Sequence, residues 1–185
     1  MEVKGTAVMA IRDYVKMNHP DQYDKWLMAL SGETKKVFID YIDSSKWYPT
    51  ENGAIEPTIQ LCKLFYNGDI KKGAWESGRY SAQKGLSGIY KLYVKASSPI
   101  HIISRASRVF AAYYRPCEMS LADEGDKTVS VIISKMEKVP DVIKFRIAGW
   151  IEKALEISGA KNIQTSFSEK TIDNQTVFGI DLAWD

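Results

Sequence analysis

The chain is poor in the residues that most often carry chemistry. Its 185 residues include two cysteines and two histidines. Cys62 and Cys117 lie far apart, which excludes a disulfide framework and a Cys-x-x-Cys metal or redox motif. Both read as packing residues, because cysteine is among the most frequently buried residue types. His19 and His101 are too few and too separated to form a histidine metal site. Gly-x-Ser-x-Gly, a Walker-type loop, His-Glu-x-x-His and Gly-x-Gly-x-x-Gly are all missing. Gly85-Leu86-Ser87-Gly88 is a fragment of the last, but it falls in a helical pattern with no strand before it. Asp40 and Asp43, near a helix end, read as a solvated cap. No catalytic set can be assembled, so no enzyme is expected and neither a cofactor nor a metal is implied.

Long apolar runs and blocks of like charge are missing too. No run approaches the ~20 residues of a membrane span, and Met1-Glu2-Val3-Lys4-Gly5 lacks the pattern of a signal peptide. The 25 basic and 23 acidic residues are mixed along the chain for a net charge of +2. That distribution argues against a dedicated nucleic-acid binder. A reduced, cytoplasmic protein is the simplest expectation. With 45% hydrophobic and 26% charged residues, the chain is long enough for one substantial core.

What is present is a change of period. The first half reads as helices: Val8 to Val15, Trp26 to Leu30, Glu33 to Ile42 with Val37, Phe38, Tyr41 and Ile42 on one side, and Ile59 to Tyr66. Ser44 to Pro57, with two prolines and Asn52-Gly53, reads as a loop. Asp69 to Ala96 reads as one long helix, followed by a helix opened by Ser98-Pro99. From Pro116 onward the alternating runs Cys117–Leu121, Val129–Ile133, Ile163–Phe167 and Val177–Trp184 predict two hairpins. Between them, a helix is opened by Pro140-Asp141 and closed by Gly159. The expected fold is α+β: a helical N-terminal half and a C-terminal four-stranded antiparallel sheet, with a helix between the hairpins. We expect one domain over 1–185, a helical lobe over 1–68 and a helix pair plus sheet over 69–185.

Gly73, Gly78, Gly85 and Gly88, with Ala74, Ser77, Ser81 and Ala82, make an unusual small-residue stripe. Each glycine costs a helix interior about 0.5–1 kcal/mol relative to alanine. Three readings account for it: close helix–helix approach, a cavity beside the helix, or a break near Gly85. Arg79, Arg105 and Arg108 stand out as polar residues in otherwise apolar helices, although long arginine stems commonly cross apolar surface.

Residues 70–185 resemble a superfamily comprising the haem nitric-oxide/oxygen-binding (H-NOX) domains, the 4-vinyl reductase domains and the TRAPP trafficking subunits. Uncharacterised bacterial members, many myxobacterial, are the most similar. The resemblance is carried by the helix Trp75–Tyr93, the helix Pro99–Tyr114, the stretch Phe145-Arg146-Ile147-Ala148-Gly149-Trp150-Ile151-Glu152 and the closing Phe178-Gly179-Ile180-Asp181-Leu182-Ala183-Trp184. It implies a helical lobe on a helix–sheet body. In H-NOX domains a histidine before the first hairpin holds haem, and a Tyr-x-Ser-x-Arg motif grips its propionates. Here that motif aligns with Ile132-Ile133-Ser134-Lys135-Met136, where only the serine remains. Ser107 or a neighbour falls at the ligand position, and His101 lies about two turns early. Haem is therefore not expected. The cysteines of the 4-vinyl reductase relatives are missing near Ile163–Trp184, so zinc is not expected either.

The resemblance implies a non-enzymatic sensory or signalling domain. Its ligand would be an apolar small molecule between the glycine-rich helix, the Pro99–Tyr114 helix and the sheet. The expected lining is Trp75, Tyr80, Tyr90, Arg105, Tyr113 and Trp150. The competing reading is a protein–protein adaptor acting through dimerisation, with Tyr23, Trp26, Trp47 and Tyr48 as interface aromatics.

Overall fold

Three short strands join distant parts of the chain. The computed structural model describes residues 1–87, 97–136, 139–172 and 175–185, with the side chains of all but 106–109, 111, 123, 170–172, 175 and 176. Strand β1 (Glu2–Lys4) pairs antiparallel with β2 (Trp47–Pro49) on one side and β3 (Tyr114–Arg115) on the other. Trp47 lies beneath two cations, with Lys4 Nζ 4.9 Å and Arg115 Cζ 4.3 Å from its ring centroid. The first half is mainly helical, as expected, with β1 and β2 added. One expectation is corrected: the Ser44–Pro57 segment, read as a loop, holds β2 and a π-helical turn over Glu51–Ile55. Strands of two or three residues are too short to show a period, and their partners are distant in sequence.

Helix α1 (Gly5–Asn18) buries Ala7, Val8, Ile11, Tyr14 and Val15 at helical spacing. Gly5 is required where it sits, because a Cβ there would fall on the Asp43 carbonyl. A 3₁₀ turn at Pro20–Gln22 leads into α2 (Tyr23–Met28), then α3 (Gly32–Ile39) and α4 (Glu56–Phe65). Trp26 is fully buried, and its indole Nε1–H donates to the Pro57 carbonyl oxygen at 3.0 Å. Helix α3 stops before Tyr41, so that ring is 86% exposed while Phe38 and Ile42 are buried. The Glu56 carboxylate covers the α3 N-terminus. It accepts from the Ser31 N–H at 2.5 Å, from the Ser31 hydroxyl at 2.7 Å and from the Thr34 hydroxyl.

Helix α5 (Ile70–Gly85) is capped by Asp69, whose side chain accepts from the Lys72 N–H at 2.9 Å. It stops at Gly85, which corrects the single helix expected through Ala96. The remainder of that expectation, 88–96, lies outside the described residues. Helix α6 (Pro99–Ala111) buries Ile102, Ile103 and Phe110.

Strands β4 (Glu118–Glu124), β5 (Thr128–Ser134), β6 (Gln164–Ile172) and β7 (Gln175–Ala183) form an antiparallel sheet of order β4-β5-β7-β6. The two hairpins therefore join edge to edge with β5 beside β7. One register row, Leu121–Val131–Ile180–Phe167, crosses all four strands with apolar side chains. Helix α7 (Asp141–Ser158) connects the hairpins. It ends as its sequence predicts: Gly159 takes φ 103°, its N–H donates to the Glu156 carbonyl, and the Ala160 N–H donates to the Leu155 carbonyl. This is the Schellman pattern, which glycine supplies at least cost. A continuous apolar core runs from Val3 and Ile11, through Ala74 and Ile103, to Ile147, Val131 and Ile180.

Candidate functional site

The site is built on the seam between α5 and α7. Small residues let these helices touch backbone to backbone. A Cβ at Gly78 would fall on the Arg146 carbonyl oxygen and 2.9 Å from its carbon, and one at Gly149 would meet the Trp75 carbonyl in the same way. Gly73 makes the matching approach to α4, where a Cβ would sit 2.5 Å from Cys62 Sγ. Close approach is thus the main reason for the glycine stripe, and Gly85 marks the helix end. On the outer side of the seam, Arg79 reaches across to Glu152 and to Glu156, the latter 2.9 Å from Nη2. Burial alone raises the Glu156 pKa, but hydrogen bonds from Arg79 and Lys153 outweigh it and hold the carboxyl below its ordinary value.

On the inner side lies Arg146, the only charged residue among the buried described ones, at 3% exposure. Its Nη1–H donates to Ser77 Oγ at 2.5 Å, while Nε is buried without a partner. No carboxylate among the described residues reaches it. Arg146 lines a crevice of ≈ 20 Å³ with Gly78, Ser81, Phe110, Tyr113 and Trp150. Arg146 was not singled out in the sequence, although a signal existed. It lies three residues after Ile143 and four before Trp150, on the apolar stripe of α7 and not on its charged face.

Of the six residues expected to line a ligand, the structure brings Tyr113 and Trp150 together at this crevice. Trp150 is buried edge-on to Phe110, with centroids 5.1 Å apart. Burial raises the Tyr113 pKa. Trp75 points the other way, its ring 6.1 Å from Phe167 of β6, and borders an open surface cleft with Lys72 and Glu152. Tyr80 packs on Tyr14 of α1 at 5.4 Å, with its buried hydroxyl unpartnered. Arg105 is exposed. Tyr90 lies outside the described residues. Among the described residues, the hollows of ≈ 370 Å³ and ≈ 580 Å³ are surface clefts away from the α5–α6–sheet interior.

Two positions matter for any haem. His101 is exposed on the first turn of α6, with Nδ1 3.1 Å from the Ser98 hydroxyl. At the end of β5, Lys135 pairs with Glu118 at 2.5 Å and Met136 is buried. The second histidine, His19, stacks on Phe65 at 3.9 Å, and burial lowers its pKa. No group of three or more His, Cys, Asp or Glu among the described residues is placed to hold a metal. No described helix is long and apolar enough to cross a membrane.

No family model and no curated protein sequence matches this chain. Solved structures do. A mutant H-NOX protein from K. algicida in the Fe(II) unliganded form aligns over 98% of this chain and 96% of its own, at 12% identity and TM-score 0.69. A mutant H-NOX from T. Tengcongensis aligns over 98% and 97%, at 12% identity and TM-score 0.69. A mutant H-NOX protein from S. oneidensis in the Fe(II) ligation state aligns over 98% and 96%, at 13% identity and TM-score 0.69. The likeness covers the N-terminal lobe as well as the sheet. The chain has an H-NOX-like α+β fold.

Proposed function

We propose that this chain is a non-enzymatic sensory or signalling domain, one unit over 1–185, that uses the H-NOX-like fold without haem. The observation that carries the haem-free reading is the chemistry at the two gripping positions. A haem iron needs an axial donor and its propionates need cations or hydroxyls. His101 faces solvent about two turns before the ligand position, where the sequence has Ser107, and the strand end has the apolar Met136 where the motif's arginine would stand, leaving the Ser134 hydroxyl and the Glu118-paired Lys135. With no axial donor and no arginine at those places, these residues do not fit haem.

The sensory reading draws on the fold and on the crevice at Arg146, which reaches α1, α5, α6 and α7 through Ala7, Ser81, Phe110 and Trp150. A guest there would touch four helices at once, so its arrival would bias their packing. At ≈ 20 Å³ the space admits a water-sized guest. An apolar ligand of ordinary size requires ~300 Å³ or more, and would therefore have to displace α6 from α5 and α7.

The test is native mass spectrometry and absorption spectroscopy of the full chain expressed with haem precursor. The expected result is no Soret band, with a non-haem molecule retained. A stoichiometric Soret band would overturn the haem-free reading, and a chain that never retains a guest would overturn the sensory one.

An adaptor acting through dimerisation is the second reading, favoured by exposed Met28, Ile39 and Tyr41 around α2 and α3. Of the aromatics first expected at that interface, Trp26 is fully buried, while Tyr23, Trp47 and Tyr48 are partly exposed, Trp47 with Lys4 and Arg115 over its ring. Light scattering across concentrations separates the readings, a strict monomer counting against the adaptor.

A further inference from the structure

A guanidinium withdrawn from water normally brings its counter-charge with it, because burying an ion without one costs more than a neutral hydrogen bond returns. Arg146 departs from this rule. It is 97% withdrawn from solvent, given its 3% exposure, and its described side-chain partner is the neutral hydroxyl of Ser77. Its Nε–H is left without an acceptor beside a crevice of ≈ 20 Å³. Ser81 lines the same space and carries a hydroxyl that can turn its O–H toward an acceptor. Most of the remaining wall, Ala7, Gly78, Phe110, Ile147 and Trp150, is apolar. A buried positive donor beside a hydroxyl, in a mostly apolar crevice, describes a receptor for negative charge.

We infer that this crevice binds a small monovalent anion, the size of chloride or formate, on Arg146. The volume sets the class. It accommodates one water-sized guest and leaves no room for the tail of a larger carboxylate. The anion would complete the charge balance of the α5–α7 seam, where the Gly78 and Gly149 contacts already hold the two backbones together. The biological use of such a site rests on the sensory reading above, but its chemistry does not.

The experiment is thermal unfolding of the full chain in sodium chloride, sodium formate and sodium gluconate at equal ionic strength. Gluconate is too bulky for the crevice and serves as the reference. Chloride and formate are expected to raise the melting temperature by about 4 °C for each tenfold excess over the dissociation constant. Chloride-35 NMR should show line broadening that formate reverses. Arg146→Met should abolish both effects. Because that variant could also fail to fold, Ser81→Leu provides a second test. It fills the crevice, leaves Arg146 in place and should abolish both effects in a folded protein. Equal melting temperatures of the wild type in all three salts would mean that water alone occupies the crevice, and would overturn the inference. An increment that survives Ser81→Leu unchanged would place the anion elsewhere and overturn it equally. The sensory reading can fail by mass spectrometry while this increment persists, so the two failures are distinguishable.

Discussion

Gly78 of α5 and Gly149 of α7 are reciprocal. Each lies where a side chain would strike the other helix's backbone, at Arg146 and Trp75 respectively. Two helices that meet this closely exchange backbone contact for side-chain packing, and the stiff partner atoms cannot yield.

Alanine at either position should therefore destabilise the fold. Helix propensity favours Gly→Ala by about 1 kcal/mol, but overpacking against backbone costs about 1–3 kcal/mol. Gly78→Ala and Gly149→Ala are expected to lower unfolding free energy in urea by up to about 2 kcal/mol. Gly85→Ala is the control. Its nearest neighbour would be the Tyr113 hydroxyl at 3.9 Å, so it should be neutral or slightly stabilising.

The Arg79–Glu152–Glu156 cluster predicts an acid-sensitive seam. The Glu156 carboxyl is held below its ordinary value of 4.5, so its contribution is present above that pH and lost as pH falls through the lower folded value. Denaturation midpoints measured from pH 6 to pH 3 should decline below about 4.5. Arg79→Met should flatten that decline and cost about 0.5–1 kcal/mol at pH 7, the range for partly exposed pairs.

Trp26 anchors the helical lobe through one indole hydrogen bond to Pro57 and complete burial. Trp26→Phe keeps most of the packing but leaves the Pro57 carbonyl without that donor, an expected loss of about 1–3 kcal/mol. Trp26→Ala should cost about 3–5 kcal/mol. Equilibrium unfolding followed by circular dichroism checks both.

Burial pushes the Cys62 and Cys117 thiols up to about 11. At pH 7.5 the thiolate fraction is then on the order of 10⁻³ or less. Ellman's reagent should leave both thiols unmodified in the folded chain and titrate two per chain in guanidinium. A fast native reaction would show that α4 or β4 opens readily.

Much of the sheet and of α7 was legible because its signals are local. The alternation of Val129, Val131 and Ile133, the turn at Glu124-Gly125-Asp126, and the Gly159 stop each depend on neighbours within a few residues. Periodicity likewise located α1, α4 and α6. It overran α5, because a helical repeat does not say where packing stops supporting a helix.

Local pattern was enough to make this chain α+β, with two hairpins around a capped helix and a stripe of small residues awaiting a reason. Tertiary structure alone decided what the stripe meets, since close approach belongs to both helices and neither shows it separately. It also decided the β2-β1-β3 sheet, whose strands are too short for a period, and the scatter of Trp75, Tyr80 and Arg105 away from Tyr113 and Trp150. Most of all it decided Arg146. In sequence it is one arginine among many, and only the helices around it make its charge a buried one.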